Sequence, residues 1–203
     1  WPNAENKVVN LQLNTVLPLE VQASMLTSAL RWINDRYPSE KVIIAGHSLG
    51  GLVARFSLVR DGAHNIKALI TIASPHLGTA IAYRGLDEID DPFPLDMIKE
   101  FFAGSYYDTL QRSRGLLHQI VPAVPGKLLF WLNSRVHPDI RYFSIVRTSP
   151  NGMLGDFMVP GYSQDMANVW AIGDKSTRYL QGFGHWLTVL DGYMLINILE
   201  QLQ

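Results

Sequence analysis

The chain has 203 residues, of which 47% are apolar and 17% charged, with six histidines, no cysteine and a formal net charge of −1. Its length fits one domain over residues 1–203, and its near-neutral charge excludes an extended basic nucleic-acid surface and a disordered acidic tail. The lack of cysteine excludes disulfides, thiol catalysis and cysteine-ligated metals, so we expect partners that are small or apolar molecules.

Short apolar segments alternate with helical patterns in the first part of the chain. In chain order these are a strand over residues 7–13, a helix over 19–37, a strand over 41–45, a helix over 50–60 and a strand over 66–73. Pro38 is expected to end the first helix. This alternation predicts a parallel sheet that is covered by helices on both faces.

The segment of about residues 81–138 has a different composition. It is rich in leucine and aromatic residues, is broken by prolines and glycines, and carries no strand pattern. We interpret it as short helices inserted between two strands as a cap or lid over one end of the sheet, facing an apolar substrate. Ordinary helical core is the alternative. Strands over 140–146 and 168–172 and a helix over 186–202 follow.

The sequence assigns no compartment. No apolar run is long enough to span a bilayer. The first residues also lack the basic region followed by an apolar region that marks a signal peptide. The localisation is therefore left open.

A G-x-S-x-G motif, GHSLG at residues 46–50, lies between the predicted strand over 41–45 and a predicted helix. A sharp strand-to-helix turn strains the backbone at the serine, and glycines are needed beside it because a Cβ would collide with the crossing chain. The serine oxygen then lies at a helix N-terminus, where the dipole favours negative charge. This context predicts a nucleophile elbow at Ser48, with an ordinary tight turn as the alternative.

A serine hydroxyl is a weak nucleophile at neutral pH and needs a general base within hydrogen-bond reach. His185 is the preferred base, because it follows a flexible Gly-Phe-Gly loop beyond the last strand, at the sheet edge where Ser48 must also lie. His76 is the alternative, since its Ser-Pro-His segment follows a strand that ends at the same edge. The other four are interpreted as packing, loop-bonding or surface residues: His47, His64, His118 and His137.

A carboxylate must fix the tautomer of the base. Asp156 is the preferred acid, because it lies in the loop after a predicted strand. Asp165 and Asp174 are alternatives, although Asp174 would share a loop with His185, whereas acid and base are expected on separate loops. The other aspartates are expected to cap helices or form turns. The predicted chain order is Ser48, Asp156, His185.

Four segments together resemble the α/β-hydrolase superfamily and, within it, the lipase and esterase branch: VIIAGHSLGGLVAR, LITIASPHLGT, GDFMVP and FGHWLTVL. They are also similar to the inositol deacylases of glycosylphosphatidylinositol anchors. The order serine, acid, histidine matches that superfamily. The resemblance covers nearly the whole chain outside the cap and implies an α/β-hydrolase fold with a mostly parallel sheet, helices on both faces and a helical cap insertion.

The oxyanion hole that this resemblance implies has two halves. One is the backbone N–H of Leu49, and the other usually comes from a loop marked by a His-Gly pair, which does not occur before Ser48. Residues 7–13 look like the strand after that loop, so the strand of the loop itself is expected to be absent. Because a sheet without a central strand leaves buried backbone groups unpaired, we expect the chain to be the C-terminal part of a larger hydrolase whose N-terminal segment completes the sheet.

The predicted activity is hydrolysis of carboxylic esters with apolar acyl groups through a Ser-His-Asp triad and an acyl-enzyme. One alternative is a deacylase of an inositol-containing or glycosylated lipid, with transient contact to a membrane surface. Another is a non-catalytic lipid-binding or interaction module. No cofactor, metal site or nucleic-acid partner is implied, and Asp191, six residues after His185, is interpreted as a surface aspartate on the final helix in preference to a calcium ligand.

Overall fold

A four-stranded parallel sheet in the order β1-β2-β3-β4 forms the centre of the chain. The structure, a computed structural model, describes residues 7–90, 106–149 and 151–202. The strands are β1 Val42–His47, β2 Ile66–Ile72, β3 Arg141–Val146 and β4 Ser176–Leu180. Within the described ranges, β1 and β4 are the edge strands, and the outer edge of β1 pairs with no other strand. The N-terminal segment expected to complete the sheet stays a prediction.

Helices flank the sheet and separate its strands. They are α1 Leu19–Arg36, α2 Leu49–Asp61, α3 Ile81–Asp90, α4 Tyr106–Ile120, α5 Leu128–Asn133, α6 Gly161–Gln164 and α7 Val189–Glu200. α1 ends two residues before Pro38, as expected, because proline disfavours helical backbone at the residue before it. No helix in the described part of the chain is both long and apolar enough to cross a bilayer.

The sheet buries side chains on both faces, because successive residues of a strand point to opposite sides. Leu69 and Tyr142 pack with residues of α1 and α2 in one apolar cluster. Ile70 and Phe143 pack with Ile198 of α7 in a second cluster on the other face. Burial on both sides explains the nearly continuous apolar sequence of β2, and the predicted fold class, a parallel sheet with helices on both faces, is confirmed.

The common direction of the strands sets the place of the predicted site residues. Since all four strands are parallel, the segments that follow their carboxyl ends meet at one edge of the sheet. Ser48 follows β1, Asp156 lies in the loop after β3, and His185 lies in the loop after β4. Residues that are more than a hundred positions apart in the sequence are thereby brought together.

Two segments predicted as strands adopt other structures. Residues 7–13 form no ladder with any described residue, and Val8 is 94% exposed; a strand is stable only where a neighbour satisfies its backbone. In 168–172 the N–H of Ile172 donates to the carbonyl of Val169 at 2.7 Å. This turn brings both apolar side chains, three positions apart, into the first cluster. The last strand is instead β4, whose sequence STRYL has no apolar run.

The region predicted as a cap contains α3, α4 and α5, while residues 91–105 lie outside the described part of the chain. Leu116, Leu117 and Ile120 of α4 are buried in the same cluster as α1 and α2. The backbone N–H of Thr79 donates to the carbonyl of Ile120 at 3.0 Å. These contacts attach α4 to the main body, and the interpretation of residues 81–138 as a cap over a substrate site stays a prediction.

Candidate active site

Ser48 lies at a strained turn between β1 and α2. Its backbone has φ 50° and ψ −122°, a region that costs a non-glycine residue roughly 1–3 kcal/mol. The N–H of Ser48 donates to the carbonyl of Ile72 at 2.8 Å, which fixes the turn against the end of β2. A Cβ on Gly46 would lie 2.6 Å from the backbone nitrogen of Gly51. The motif thus needs glycine at position 46 for the chain to cross itself.

The side chains of Ser48, His185 and Asp156 form one hydrogen-bonded series. Ser48 Oγ lies 2.8 Å from His185 Nε2, and His185 Nδ1 lies 3.1 Å from Asp156 Oδ2. Because an ionised carboxylate only accepts hydrogen bonds, Nδ1–H donates to Asp156, which leaves Nε2 to accept from the serine hydroxyl. The imidazole is 1% exposed and the Asp156 carboxylate 0% exposed. This arrangement can move the serine proton to Nε2.

Backbone and side-chain donors hold the carboxylate of Asp156 in place. Oδ1 accepts from the N–H groups of Met158 and Val159, both at 2.7 Å, and Oδ2 accepts from Gln164 Nε2 at 3.0 Å. Gly155, with φ +106°, begins the turn, where a Cβ would meet the backbone of the following residues. Both carboxylate oxygens are therefore occupied by donors, and the acid cannot rotate away from His185 without breaking them.

The loop that carries His185 is held by His47, the last residue of β1, and by Arg147, which directly follows β3. His47 Nε2–H donates to the backbone carbonyl of His185 at 2.7 Å, as its interpretation as a loop-bonding residue predicts. Burial, the largest influence, lowers the pKa of His47, so the ring is neutral near pH 7 and still carries this donor. Arg147 Nη2 donates to the carbonyl of Trp186 at 3.0 Å.

Arg147 also forms a buried ion pair with Asp191, which is only 2% exposed. The interpretation of Asp191 as a surface aspartate is therefore wrong. Burial opposes its ionisation, but hydrogen bonds from Arg147 and Thr188 prevail and hold the pKa of its carboxyl below the ordinary value. The N–H of Thr188 donates to Asp191 Oδ2 at 2.7 Å, so the aspartate also caps α7. The only sequence signal for this capping box is a threonine with an acid three residues later.

The alternative candidates lie elsewhere. His76 is fully buried, and its Nε2 is 3.0 Å from Thr71 Oγ1 and not bonded to Ser48. Asp165 accepts from the N–H of Ala167, the capping role expected for an aspartate outside the site, and Asp174 lies in the 3-10 turn Gly173–Lys175. The three remaining histidines are also outside the site: exposed His64 and His118, and buried His137.

Two residues of this site escaped the sequence analysis, Gln164 and Arg147. Gln164 Nε2 contacts the acid, and its Oε1 accepts from the backbone N–H of Arg147 at 2.8 Å. Both lie in polar stretches without a motif. Of the two, only Arg147 carries a sequence signal. It directly follows an apolar strand, a position that predicts burial, and a buried cation requires an acidic partner.

Leu49 is the first residue of α2, where a backbone N–H has no acceptor within its own helix. This donor lies next to Ser48 at the positive end of the helix dipole. Among the side chains that the structure describes, no group of three histidine, aspartate or glutamate residues could hold a metal ion. The described site therefore consists of an elbow serine, an imidazole, a carboxylate and a helix N-terminus.

Solved structures share this architecture over most of the chain. The mature form of the lipase BlEst2 from Bacillus licheniformis superposes with a TM-score of 0.57 over 92% of this chain and 75% of that protein, at 15% identity. A bromoperoxidase from Bacillus anthracis gives a TM-score of 0.59 over 95% of this chain and 76% of that protein, at 13% identity. The chain has the α/β-hydrolase fold. This likeness shows the fold of the chain and not its activity or substrate.

Part of the chain also matches a family model. Residues 9–87, which include the elbow, match the PGAP1-like alpha/beta domain. The GPI inositol-deacylase of Candida albicans is 34% identical over 89 residues, which are 42% of this chain and 20% of that protein. The GPI inositol-deacylase of Phaeosphaeria nodorum is 29% identical over 135 residues, which are 66% of this chain and 12% of that protein. The similarity to inositol deacylases agrees with the sequence analysis, and the chain spans a fifth or less of these two relatives.

Proposed function

We propose that this α/β hydrolase cleaves carboxylic esters with Ser48 as nucleophile, His185 as general base and Asp156 as the acid that orients the base. The observation that carries the proposal is the buried series Ser48 Oγ, His185 Nε2, His185 Nδ1 and Asp156 Oδ2, with spacings of 2.8 and 3.1 Å. A serine within hydrogen-bond reach of a base that a third group orients is the arrangement that nucleophilic catalysis requires.

The reaction proceeds in two halves. Ser48 Oγ attacks the ester carbonyl carbon while His185 Nε2 takes the hydroxyl proton, and the imidazolium then gives this proton to the leaving alcohol. Water attacks the resulting acyl-enzyme as His185 takes one of its protons. The imidazolium then returns that proton to Ser48 Oγ as the bond from Oγ to the acyl carbon breaks, and the carboxylic acid is released. Asp156 stabilises the imidazolium through Nδ1–H in both halves.

The N–H of Leu49 is proposed as one oxyanion donor. It follows the nucleophile and lies at the N-terminus of α2, so it faces the negative charge that develops on the carbonyl oxygen without moving. Loss of one such donor costs about 2.7–4 kcal/mol of barrier. A backbone donor cannot be removed by substitution, so Ser48 and His185 are the practical targets of a test.

An apolar acyl group is proposed because large apolar side chains are exposed in the segments that carry the acid and the base. Phe157 follows Asp156 and is 46% exposed, while Trp186 and Leu187 follow His185 and are 50% and 56% exposed. Such surface is covered at least in part when a fatty acyl chain or a lipid surface meets the site.

A more specific candidate is the deacylation of an inositol-containing lipid. It is supported by the match of residues 9–87 to the PGAP1-like alpha/beta domain and by the two inositol-deacylase relatives. Release of fatty acid from an acylated phosphoinositide, with none from a triglyceride, would favour this candidate. A non-catalytic lipid-binding module is the remaining alternative and predicts an unreactive Ser48.

Labelling with a fluorophosphonate probe and turnover of p-nitrophenyl esters of increasing chain length test the proposal. The wild-type chain is expected to be labelled and to prefer the longer acyl chains, whereas Ser48→Ala is expected to lose both labelling and turnover. Ser39→Ala, which removes an exposed hydroxyl outside the site, is the matched control and should behave as wild type. Undiminished turnover by Ser48→Ala would refute the assignment of the nucleophile.

A further inference from the structure

The buried ion pair of Arg147 and Asp191 takes no part in the proposed proton transfers. Arg147 follows β3 directly and is 0% exposed, and Asp191 lies in the first turn of α7 and is 2% exposed. Desolvation of two charges offsets most of their attraction, so a buried pair is weak evidence of stabilisation. Its location beside the loop of His185 suggests a role in placing that loop.

The guanidinium of Arg147 contacts both ends of this loop. Nη2 donates to the carbonyl of Trp186 at 3.0 Å, and Nη1 lies at 3.5 Å from the carbonyl of Gln181. Both nitrogens also bond the carboxylate of Asp191, one to each oxygen. Only the planar guanidinium of an arginine has donors placed to bond both carboxylate oxygens of Asp191 and the two loop carbonyls at the same time.

The backbone of the same residue is bonded to the loop of the acid. The N–H of Arg147 donates to Gln164 Oε1 at 2.8 Å, and Gln164 Nε2 donates to Asp156 Oδ2 at 3.0 Å. The carbonyl of Arg147 accepts from the N–H of Gly155 at 2.7 Å. One residue is thus bonded to the segments that carry both partners of the 3.1 Å contact between His185 and Asp156.

We propose that Arg147 is a positioning residue, which, anchored by Asp191, holds the His185 loop in register with Asp156 and Ser48. This inference rests on the proposed ester hydrolysis. Asp191 supplies the counter-charge that keeps the guanidinium in the interior and fixes the start of α7, directly after the loop. Displacement of a catalytic group by about 1 Å can lower a rate about a hundredfold, so the effect is expected in turnover more than in substrate binding.

The test compares Arg147→Met, Arg147→Lys and the double variant Arg147→Met with Asp191→Asn. The double variant removes both buried charges, so it leaves no unpaired ion, and asparagine keeps an acceptor for the N–H of Thr188. Arg60→Met is the matched control, because it breaks the exposed Arg60–Asp61 pair at the far end of α2 from Ser48.

Turnover is measured with p-nitrophenyl butyrate and divided by the number of sites that react with a fluorophosphonate. For Arg147→Met and the double variant, kcat per reactive site is expected to fall by about ten- to a hundredfold with KM nearly unchanged, and Arg147→Lys is expected to recover only part of it. A purely structural role predicts fewer reactive sites with an unchanged kcat for each, and that outcome overturns the inference.

Hydrogen exchange gives a readout that does not depend on activity. The amides of residues 182–188 are expected to exchange faster in the double variant than in wild type, while those of β2 stay protected and Arg60→Met matches wild type. If the wild-type protein neither hydrolyses esters nor reacts with the fluorophosphonate, the proposed function is refuted. Hydrogen exchange then still tests whether Arg147 positions the loop. Unchanged exchange in residues 182–188 rejects the inference in either case.

Discussion

His47 Nε2 donates a hydrogen bond of 2.7 Å to the backbone carbonyl of His185, and the two rings lie 5.2 Å apart. The residue before the proposed nucleophile Ser48 thus holds the backbone of the proposed base. The elbow sequence therefore contributes to the candidate site twice, through Ser48 and through the placement of His185. We expect His47→Phe, which keeps an aromatic ring without the donor, to lower kcat about tenfold. His47→Gln, with an amide donor of similar reach, is expected to retain more activity, and equal loss in both would contradict this role.

Asp156→Asn is expected to lower kcat by about 10⁴-fold, the loss seen when a triad acid cannot fix the correct tautomer. An asparagine oxygen can still accept from Met158 and Val159, so the loop is expected to fold. Its NH₂ then faces His185 and favours the tautomer with the proton on Nε2. Steady-state kinetics with a p-nitrophenyl ester measure the loss. Asp165→Asn serves as the control, and a larger loss there would move the acid to that residue.

Two glycines of the elbow allow a paired test of its geometry. A Cβ on Gly46 would lie 2.6 Å from the backbone of Gly51, whereas a Cβ on Gly50, inside α2, meets nothing within 4 Å. Gly46→Ala is expected to destabilise the fold by about 1–3 kcal/mol, or several degrees in Tm. Gly50→Ala is expected to be neutral or stabilising by up to about 1 kcal/mol, because alanine is the better helix former. Thermal unfolding of the two variants measures the difference. Similar Tm values would argue against the close approach of the backbone at Gly46 to that at Gly51.

The stability of the fold is expected to decrease in mild acid. Burial, and then the nearby charge of Arg55, lowers the pKa of His137 from 6.5 to about 4, and His76 is shifted in the same direction. Between pH 6.5 and about 4, His137 binds a proton in the unfolded chain but not in the folded chain. Its contribution to the free energy of unfolding is therefore present above pH 6.5 and is lost toward pH 4. Because a pKa difference of one unit corresponds to about 1.4 kcal/mol, the free energy of unfolding is expected to fall by roughly 3 kcal/mol.

Urea unfolding of wild type and His137→Gln at several pH values measures this contribution. The free energy of unfolding of the variant is expected to fall less steeply between pH 6.5 and 4, because it lacks one group that binds a proton on unfolding. His64→Gln, a change at an exposed histidine, should keep the slope of wild type. If the free energy of unfolding has the same pH dependence in wild type and His137→Gln, the lowered pKa of His137 is not its cause.

Sequence alone determined the parts of this protein whose causes are local. The elbow was predictable because a strand, two glycines and a helix are adjacent in the chain. The constraint on the first glycine is steric, since a Cβ on Gly46 would lie 2.6 Å from the backbone nitrogen of Gly51. The loop of Asp156 was predictable as the position after a strand, since parallel strands end at one edge, whereas the strand before His185 is β4 and not the predicted 168–172. The burial of β2 on both faces follows from its nearly continuous apolar sequence.

Tertiary structure decided the rest, because the causes lie in contacts between distant residues. The strand over residues 168–172 was predicted wrongly, since β-branched and apolar residues fit a strand or a turn, and only packing of Val169 and Ile172 into the core selects the turn. Sequence preferred Asp156 as the partner of His185 but left Asp165 and Asp174 as alternatives, and only the tertiary structure shows which carboxylate contacts the imidazole. The ion pair of Arg147 and Asp191, 44 positions apart, could not be predicted for the same reason. A charged residue is expected on the surface unless the fold places a partner of opposite charge beside it.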